Sequence, residues 1–336
     1  MVYVQDIDGK PMMPTTRHGK VRRLLKANKA TVVNLCPFTI QLTYKSTDHK
    51  QPVTLGIDAG AKHIGFSATT EKEELFACET ILRTDIVDLL STRSQNRRTR
   101  RSRLRYRKPK FNNRVFSKKK GWVAPSVKQR IDSHLNEVNE IHKILPITKI
   151  VIEAAQFDTH KMKNPNISGI DYQNGEQLGF WNVREYVLFR DGHKCSYCKG
   201  KSKDLILNIH HIESRKTGGD SPSNLITLCE TCHKEYHKGN IDLKVRRGKS
   251  LCGAAIMGIM KWRLYDELKS RYSNVSMTFG YITKYNRIKY GIEKSHTSDA
   301  FVISKNFNAK RIEYQYLKRL VRRHNRQIHK MKILKG

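Results

Sequence analysis

The chain has 336 residues and a formal net charge of +35, because 65 lysines and arginines face only 30 acidic residues. Such an excess indicates a polyanionic partner, usually nucleic acid, and the length predicts about two to three domains. The longest uncharged apolar run, 252–260, is too short for a membrane span of about 20 residues. Asp6 and Asp8 stand where a secretory signal is apolar, so we expect a cytoplasmic protein without membrane association.

Residues 1–50 are predicted to form a small separate unit. It contains a basic helix at 20–29 and a β-branched, strand-like stretch at 31–43. Three apolar runs follow between residues 53 and 82. They predict a meander of three strands, and the first of these strands ends at Asp58.

A strongly basic segment, residues 93–120, interrupts this pattern. It contains nine arginines and five lysines with no acidic residue, and helix-forming residues continue up to Pro109. Like charges at i,i+4 destabilise such a helix by about a few tenths of a kcal/mol per pair unless a polyanion neutralises them. A solvated basic linker is the alternative, but the interleaved Leu104, Tyr106 and Phe111 favour contact with nucleic acid.

Predicted elements alternate with linkers in the rest of the chain. The stretch 126–145 has the apolar spacing of a helix, and the apolar strand at 147–155 contains Glu153 near its end. The remaining predictions, in chain order, are a linker at 157–180, a linker with an Ala/Gly-rich helix at 241–260, a strand at 275–289, a helix from 294 that contains His296 and Asp299, and a basic tail at 310–335.

Four of the seven cysteines form two CxxC pairs. An odd total with clustered pairs fits a reducing compartment and a metal site better than a disulfide framework. Four thiolates can bind one tetrahedral Zn²⁺ without an open position, which predicts a structural zinc in a domain too small to rely on its core. The predicted ligands are Cys195, Cys198, Cys229 and Cys232.

Histidines near these cysteines predict a second metal site. Adjacent histidines on a strand point to opposite faces, so His210 can bind a metal while His211 faces a substrate. His233 and His237 share one helical face, and with His210 they could hold a divalent ion at a phosphate. His211 would then be the general base that activates water, and Asn224 could orient it by hydrogen bonding. In the alternative, the segment is a plain zinc ribbon and the histidines are incidental.

Three carboxylates predict a further site. Asp58 and Glu153 end apolar strands, and Asp299 lies near the start of an apolar helix, beside His296. Acids at the ends of adjacent strands repel one another unless a cation lies between them. Two Mg²⁺ ions about 4 Å apart would supply that charge and would clamp a scissile phosphate. Taken singly, each of these residues has a structural alternative. The motif around Asp58 can be a strand-to-turn connection, Glu153 can be a salt-bridge acid, and His296 can be a helix cap.

The order and spacing of these motifs resemble two nuclease families. The histidine segment resembles the HNH, or ββα-metal, nucleases, which implies that the three histidines other than His211 are ligands and that His211 is the base. The motifs LGIDAGAKHIGFS, IVIEAA and SHTSDA resemble the split RuvC-type nucleases of RNase H-like fold. This second resemblance implies a catalytic role for the three carboxylates and His296.

As a whole, the chain resembles the IscB family of transposon-encoded, RNA-guided nucleases. Pro11-Met12-Met13-Pro14 resembles the start of the family's PLMP domain, and 93–114 matches its bridge helix. The implied fold is α+β and multidomain, with an RNase H-like mixed sheet split by an arginine-rich bridge helix and a zinc-stapled HNH insert. The implied segments are 1–50 (PLMP-like), 51–92 (RuvC-like I), 93–120 (bridge helix), 121–180 (RuvC-like II and linker), 181–240 (HNH), 241–310 (linker and RuvC-like III) and 311–336 (basic C-terminal segment).

The IscB resemblance also implies partners and cofactors. A noncoding guide RNA would select a double-stranded DNA target, with two Mg²⁺ ions at the RuvC-like site, one divalent ion at the HNH site and a structural Zn²⁺. The HNH site would cut the guide-paired strand and the RuvC-like site the displaced strand, in a protein associated with the nucleoid. The arginines expected to bind the RNA are Arg22, Arg23, Arg93, Arg97, Arg98, Arg100, Arg101, Arg103, Arg105, Arg107 and Arg114.

Family members usually continue past residues 322–330 into a β-rich domain that contacts the target-adjacent motif, and we expect this chain to lack that domain. Two other functions are compatible with the same residues. One is an unguided metal-dependent nuclease that acts on branched or single-stranded DNA. The other is a transposon accessory that binds guide RNA and leaves its nuclease sites unused.

Overall fold

Strands from both halves of the sequence meet in one mixed sheet in this computed structural model. The structure describes residues 1–47, 49–103, 121–154, 157–245, 248, 251–324 and 326–335. The strands are β1 (Tyr3–Gln5), β2 (Ala30–Leu35), β3 (Phe38–Leu42), β4 (Thr54–Ala59), β5 (His63–Thr69), β6 (Glu74–Ile81), β7 (Lys149–Ala154), β8 (Leu207–His211), β9 (Leu225–Cys229), β10 (Val275–Phe279), β11 (Tyr314–Arg323) and β12 (Arg326–Lys335). The helices are α1 (His18–Lys26), α2 (Ile86–Arg103), α3 (Pro125–Ile144), α4 (Thr159–Lys163), α5 (Val183–Arg190), α6 (Arg215–Gly218), α7 (Glu230–His237), α8 (Cys252–Arg271), α9 (Gly280–Lys289) and α10 (His296–Ser304). Contacts divide the chain into two units, 1–157 with 253–336, and 158–252.

The N-terminal residues form a small sheet of their own. β3 pairs in parallel with β1 and antiparallel with β2. Val21 of α1 packs into the same apolar cluster as Val4 and Ile40 of this sheet. The predicted continuous strand at 31–43 is wrong, because a turn at Cys36 and Pro37 separates β2 from β3. Proline lacks the N–H group that an uninterrupted ladder requires.

The large sheet has the strand order β10-β7-β4-β5-β6-β11-β12. Its centre is the predicted meander, in which β4, β5 and β6 run antiparallel, and this prediction is confirmed. β7 lies parallel to β4, and β10 lies parallel to β7. On the other side, β11 lies parallel to β6, and β12 pairs antiparallel with β11 as the outer strand. The carboxyl ends of β4 and β7 therefore lie side by side.

Helices α3 and α8 pack their apolar sides into the same core as the sheet. The predicted helix at 126–145 is confirmed, and Ile131, Leu135 and Val138 are buried on one side of it. They join Ile57 and Phe66 of the meander in one cluster. Full burial of such a side chain contributes about 1.5–3 kcal/mol relative to exposure. Across the described residues, no helix combines the length and the apolar character that a bilayer crossing demands.

Two glycines allow α10 to lie directly on the meander. A Cβ atom at Gly56 of β4 would come within 2.0 Å of the Ala300 carbonyl oxygen, and one at Gly65 of β5 within 1.9 Å of the His296 carbonyl oxygen. Successive strand residues face opposite sides, so Gly56 faces away from the side of the sheet that Ile57 buries. Glycine at these two positions therefore sets how close the helix comes to the strands.

The unit formed by 158–252 is built around a ββα arrangement. β8 and β9 pair antiparallel, with His211 opposite Leu225, and α7 follows β9 directly. Its core contains Ile226 and Leu228 together with the buried cysteines. The predicted linker at 157–180 includes short helical turns, α4 and a 3-10 turn at Gly169–Tyr172.

The predicted strand over 275–289 is only partly correct. β10 ends at Phe279, and the remaining residues form α9. Thr283 and Arg287, four residues apart, lie on the inner side of this helix, whereas Tyr281 and Tyr285 are exposed. The aromatic and β-branched residue types of this segment favour a strand, but the residues lie on a helix. Which of them are buried and which are exposed follows the helical period.

The close approach of α10 can be tested by adding one methyl group. Gly56→Ala places a Cβ against the backbone of α10, so we expect a loss of about 1–3 kcal/mol or more in the free energy of unfolding. Gly258→Ala in α8 is the matched control, because nothing lies within 4 Å of its added Cβ, and helix propensity predicts a gain of up to about 1 kcal/mol. Urea unfolding measures both, and equal stability of Gly56→Ala and the wild type would contradict the packing described.

Candidate functional site

Three carboxylates converge where β4, β7 and α10 meet. Ile57 of β4 pairs with Ile152 of β7, so the next residues, Asp58 and Glu153, lie side by side on neighbouring parallel strands. Asp299 comes from the first turn of α10, which lies on the same strands. The structure therefore brings together carboxylates that the sequence separates by more than two hundred positions.

The electrostatics of this cluster show that its charges are close and partly desolvated. Burial raises the pKa of Glu153, and the neighbouring Asp58 and Asp299 raise it further, against a hydrogen bond from Thr283. Burial also raises the pKa of Asp299, and so does Asp58, while Arg287 opposes the shift. A cation bound among these oxygens would relieve both effects.

Two basic side chains balance part of this negative charge. Nδ1 of His296 lies 2.7 Å from Oδ2 of Asp58, and this hydrogen bond raises the pKa of the histidine. Nε of Arg287 lies 3.1 Å from Oδ1 of Asp299, but that buried oxygen accepts no hydrogen bond from a described group. An orphaned carboxylate oxygen beside two other carboxylates is a donor of the kind that Mg²⁺ binds, although oxygens of the three described carboxylates do not all lie within 4.8 Å of one another. Arg287 had no signal in the sequence, since its segment reads as a strand.

The four cysteines form one cluster in the 158–252 unit. Their sulfur atoms all lie within 4.8 Å of one another, and none forms a disulfide. The Sγ atoms of Cys198 and Cys229 are 3.9 Å apart, close to the separation of about 3.8 Å that a tetrahedral zinc with Zn–S bonds of about 2.3 Å requires. The cluster therefore fits a four-thiolate zinc.

Three of the histidines form a second cluster, between β8 and α7. Ligand atoms of His210, His233 and His237 lie within 4.8 Å of one another, and the two Nε2 atoms on α7 are 3.2 Å apart. Burial, followed by the charges of the other two histidines, lowers the pKa of His210 to about 4. His210 is therefore neutral at pH 7. Its buried Nε2 has no hydrogen-bond partner among the described residues, which fits a metal ligand whose ion would complete it.

His211 faces away from this cluster and has a different partner from the predicted one. Its Nε2 lies 3.0 Å from Oδ1 of Asp220, whose other oxygen accepts a hydrogen bond from Arg215 at 2.7 Å. These two hydrogen bonds, that of His211 first, lower the pKa of Asp220. Asp220 therefore stays ionised and fixes the orientation of the imidazole ring. An acid that follows a Gly-Gly turn was the available signal for it in the sequence.

The predicted hydrogen bond between Asn224 and His211 is wrong. The fully buried Asn224 amide accepts from the N–H of Glu213 at 2.8 Å and donates to the carbonyls of Glu213 and Gly219 at 3.0 and 2.9 Å. Both amide hydrogens are thus used by the backbone of the β8–β9 connection. Asn224 therefore holds the backbone of the loop that carries Asp220.

Those predicted RNA-binding arginines that the structure describes lie on two helices, and most of them are exposed. α2 has no buried residue, and its last three turns present mostly exposed arginines. A groove of about 660 Å³ lies along the helix, lined by Arg93, Arg97 and Arg100 together with Arg83 and Arg322. The exposed arginines are Arg22 and Arg23 on α1 and, on α2, Arg93, Arg97, Arg98, Arg100 and Arg103. Arg101 of α2 is half-buried. The remaining predicted arginines, Arg105, Arg107 and Arg114, lie outside the described residues.

Comparisons with known proteins match both halves of the chain. Residues 2–175 match the family model described as RRXRR protein, and the pattern itself stands at 97–101 as Arg-Arg-Thr-Arg-Arg. Residues 195–239 match the model described as HNH endonuclease. Anaredoxin from Nostoc sp. strain PCC 7120 is 34% identical over 66 residues, which are 19% of this chain and 84% of anaredoxin.

Two solved structures of larger proteins are also similar. Streptococcus thermophilus Cas9 in complex with the AGAA PAM is 12% identical, with a TM-score of 0.37 over 63% of this chain and 32% of that one. The Type II-C Cas9 enzyme from Actinomyces naeslundii is 11% identical, with a TM-score of 0.31 over 76% of this chain and 60% of that one. The chain thus spans about a third of the first protein and three fifths of the second.

Removal of one thiolate tests the cysteine cluster. Cys195→Ser should bind about one zinc ion fewer per chain than the wild type and should unfold the 158–252 unit, because structural zinc contributes folding free energy directly. His211→Ala, which leaves all four thiolates intact, should retain the metal. Elemental analysis with circular dichroism measures both, and equal zinc content in Cys195→Ser and the wild type would show that the cluster is not a four-cysteine site.

Proposed function

Because this chain belongs to the RRXRR protein family and carries a match to the HNH endonuclease model, we propose that it is an RNA-guided DNA endonuclease of the IscB type. One observation carries the proposal. The same chain holds a three-carboxylate cluster, a three-histidine cluster on a ββα unit and a helix of exposed arginines. Two separate hydrolytic centres and a basic helix are what cleavage of both strands of a guide-paired duplex requires.

The HNH centre is proposed to use His211 as general base. The carboxylate of Asp220 can only accept, so Nε2 of His211 carries the proton, and its Nδ1, which has no hydrogen-bond partner among the described residues, can take a proton from water. His210, His233 and His237 would hold one divalent ion, which when bound stabilises the charge that develops on the scissile phosphate. This assignment gives the adjacent histidines 210 and 211 different tasks on opposite faces of β8.

The RuvC-like centre is proposed to consist of Asp58, Glu153, Asp299 and His296. The antiparallel meander, continued by two parallel strands, supports an RNase H-like arrangement with Asp58 at its centre. The carboxylates would hold two Mg²⁺ ions, which when bound activate the attacking water and stabilise the leaving oxygen. His296, held by Asp58 at Nδ1, is proposed to exchange a proton at Nε2, for which the described part of the chain supplies no hydrogen-bond partner.

Guide RNA is proposed to bind along α2 and α1. Exposed arginines on two helices offer bidentate contacts to phosphates, and such contacts read backbone shape rather than sequence. Sequence choice would then come from pairing between the RNA and one DNA strand. The proposal assigns the guide-paired strand to the HNH centre and the displaced strand to the RuvC-like centre.

The salt dependence of RNA binding tests the role of α2. With about eight phosphates neutralised, the logarithm of the binding constant should fall against the logarithm of salt concentration with a slope near −6 to −7. Changing Arg97, Arg98, Arg100 and Arg101 to alanine should reduce that slope by about 3 and abolish guided cleavage. Fluorescence titration of RNA at several salt concentrations measures the slope.

The control for this measurement removes an equal charge elsewhere. Alanine at four basic residues of α8, namely Lys261, Arg263, Lys269 and Arg271, should leave the slope nearly unchanged. If the α2 and α8 variants shift the slope equally, α2 is an ordinary charged surface and not the RNA site.

Single substitutions in each centre should produce two nickases of opposite strand preference. General-base catalysis contributes about 10²–10⁴-fold, so His211→Ala should leave the guide-paired strand nearly uncut and spare the other cut. Asp58→Ala should stop only the cut in the displaced strand, because it removes the central carboxylate of the other cluster. The measurement is a denaturing gel of a guide-matched duplex labelled on each strand in turn.

Three results would count against this assignment. Loss of both cuts in a folded, RNA-bound single variant would rule out two independent centres. Equal cutting without any guide RNA would identify an unguided nuclease. Absence of both cuts in the wild type with guide RNA and Mg²⁺ would favour an RNA-binding accessory protein.

A further inference from the structure

A second group of metal-ligating side chains lies beside the three-carboxylate cluster. It consists of His63 on β5, Glu79 on β6 and His296 on α10, whose ligand atoms lie within 4.8 Å of one another. We propose that these three residues bind a transition-metal ion of the Zn²⁺ class, at a site that shares His296 with the proposed RuvC-like centre and uses none of the oxygen ligands proposed for Mg²⁺.

Strand register explains why the three residues meet. Asp58 pairs with Gly65, and Gly65 pairs with Glu79, so these residues form one row across β4, β5 and β6. His63 lies two residues before Gly65 and therefore on the same face. The first turn of α10 presses on Gly65, with the His296 carbonyl oxygen 1.9 Å from the place of its missing Cβ. His296 thus lies over Gly65, which has no side chain, with Asp58 on one side and Glu79 on the other.

A carboxylate holds each of the two imidazole rings at Nδ1. Nδ1 of His63 lies 2.8 Å from Oε1 of Glu79, and Nδ1 of His296 lies 2.7 Å from Oδ2 of Asp58. An ionised carboxylate only accepts hydrogen bonds, so each Nδ1 carries a proton and each Nε2 presents a lone pair. Metal-binding histidines are commonly fixed by a carboxylate at the other ring nitrogen in the same manner.

The rings also lie close enough to share an ion. They are stacked with centroids 5.2 Å apart and planes inclined by only 7°. A tetrahedral zinc with Zn–N bonds of about 2.0–2.1 Å needs donors about 3.3 Å apart, so the ligand atoms, which lie within 4.8 Å of one another, would have to draw together around the ion, and both rings are exposed enough to turn. A carboxylate oxygen of Glu79 lies within 4.8 Å of the ligand atoms of both histidines.

The donor set selects the class of metal. Two imidazole nitrogens and one carboxylate oxygen are ligands for Zn²⁺ and similar borderline ions, whereas Mg²⁺ prefers oxygen ligands and retains its water. Millimolar Mg²⁺ should therefore not displace micromolar Zn²⁺ from these residues. An ion here would occupy Nε2 of His296, the nitrogen that the neighbouring centre is proposed to use for proton exchange, while Nδ1 stays on Asp58.

Metal counting tests the site without reference to activity. Full-length protein is dialysed to equilibrium against micromolar Zn²⁺ in millimolar Mg²⁺, and bound zinc is counted per chain. His63→Gln and Glu79→Gln should each bind about one ion fewer than the wild type, while His329→Gln, an exposed histidine of β12, should bind as many. Circular dichroism confirms folding, and Glu79→Gln decides the matter if His63→Gln does not fold. Equal zinc in the wild type and the folded variants would overturn the site.

A second measurement tests whether zinc bound at this site inhibits the RuvC-like centre, and it rests on the proposed function. In Mg²⁺, added micromolar Zn²⁺ should slow cutting of the displaced strand at least tenfold in the wild type and leave His63→Gln unaffected. Equal inhibition of both proteins would overturn the coupling to His296. Absence of this cut in Mg²⁺ alone would overturn the proposed function, and the zinc count would still decide the metal site.

Discussion

The close approach of α10 to the meander is the constraint on which the candidate chemistry depends. Helix and strand backbones meet over Gly56 and Gly65, where any side chain would collide with the helix. This contact brings His296 and Asp299 down to Asp58, from the far end of the chain to the central strand. The packing of this helix therefore positions the site, because a helix displaced by the width of a methyl group would no longer bring both residues to Asp58.

Much of this arrangement could be predicted from the sequence, for identifiable physical reasons. Asp58 and Glu153 end apolar runs, which places both acids at strand ends, and the parallel pairing of β4 with β7 then brings them to one edge of the sheet. The cysteine pairs and the histidines at i,i+4 are local patterns, so short-range geometry already groups them. The meander and the helix at 126–145 follow equally from periods of two and 3.6 residues.

The parts that sequence analysis missed depend on contacts between distant or irregular segments. Arg287 reaches Asp299 because α9 is a helix, and its exposed tyrosines had suggested a strand. Asp220 rather than Asn224 binds His211, since the loop folds so that the buried amide satisfies backbone groups while the acid points outward. A buried amide left without partners would cost about 1–3 kcal/mol, and loop backbones supply partners that no residue spacing reveals.

The outer strand β12 has a consequence for self-association. The edge of a sheet exposes unpaired N–H and C=O groups, and a second copy of the chain could add its own edge there. β12 carries Arg326, Lys330, Lys332 and Lys335 along this edge, all of them exposed. Antiparallel pairing of two such edges would set like charges against one another, so the strand resists aggregation at low ionic strength. Concentrated salt removes much of that repulsion, because the screening length falls from about 10 Å at 0.1 M to about 3 Å at 1 M.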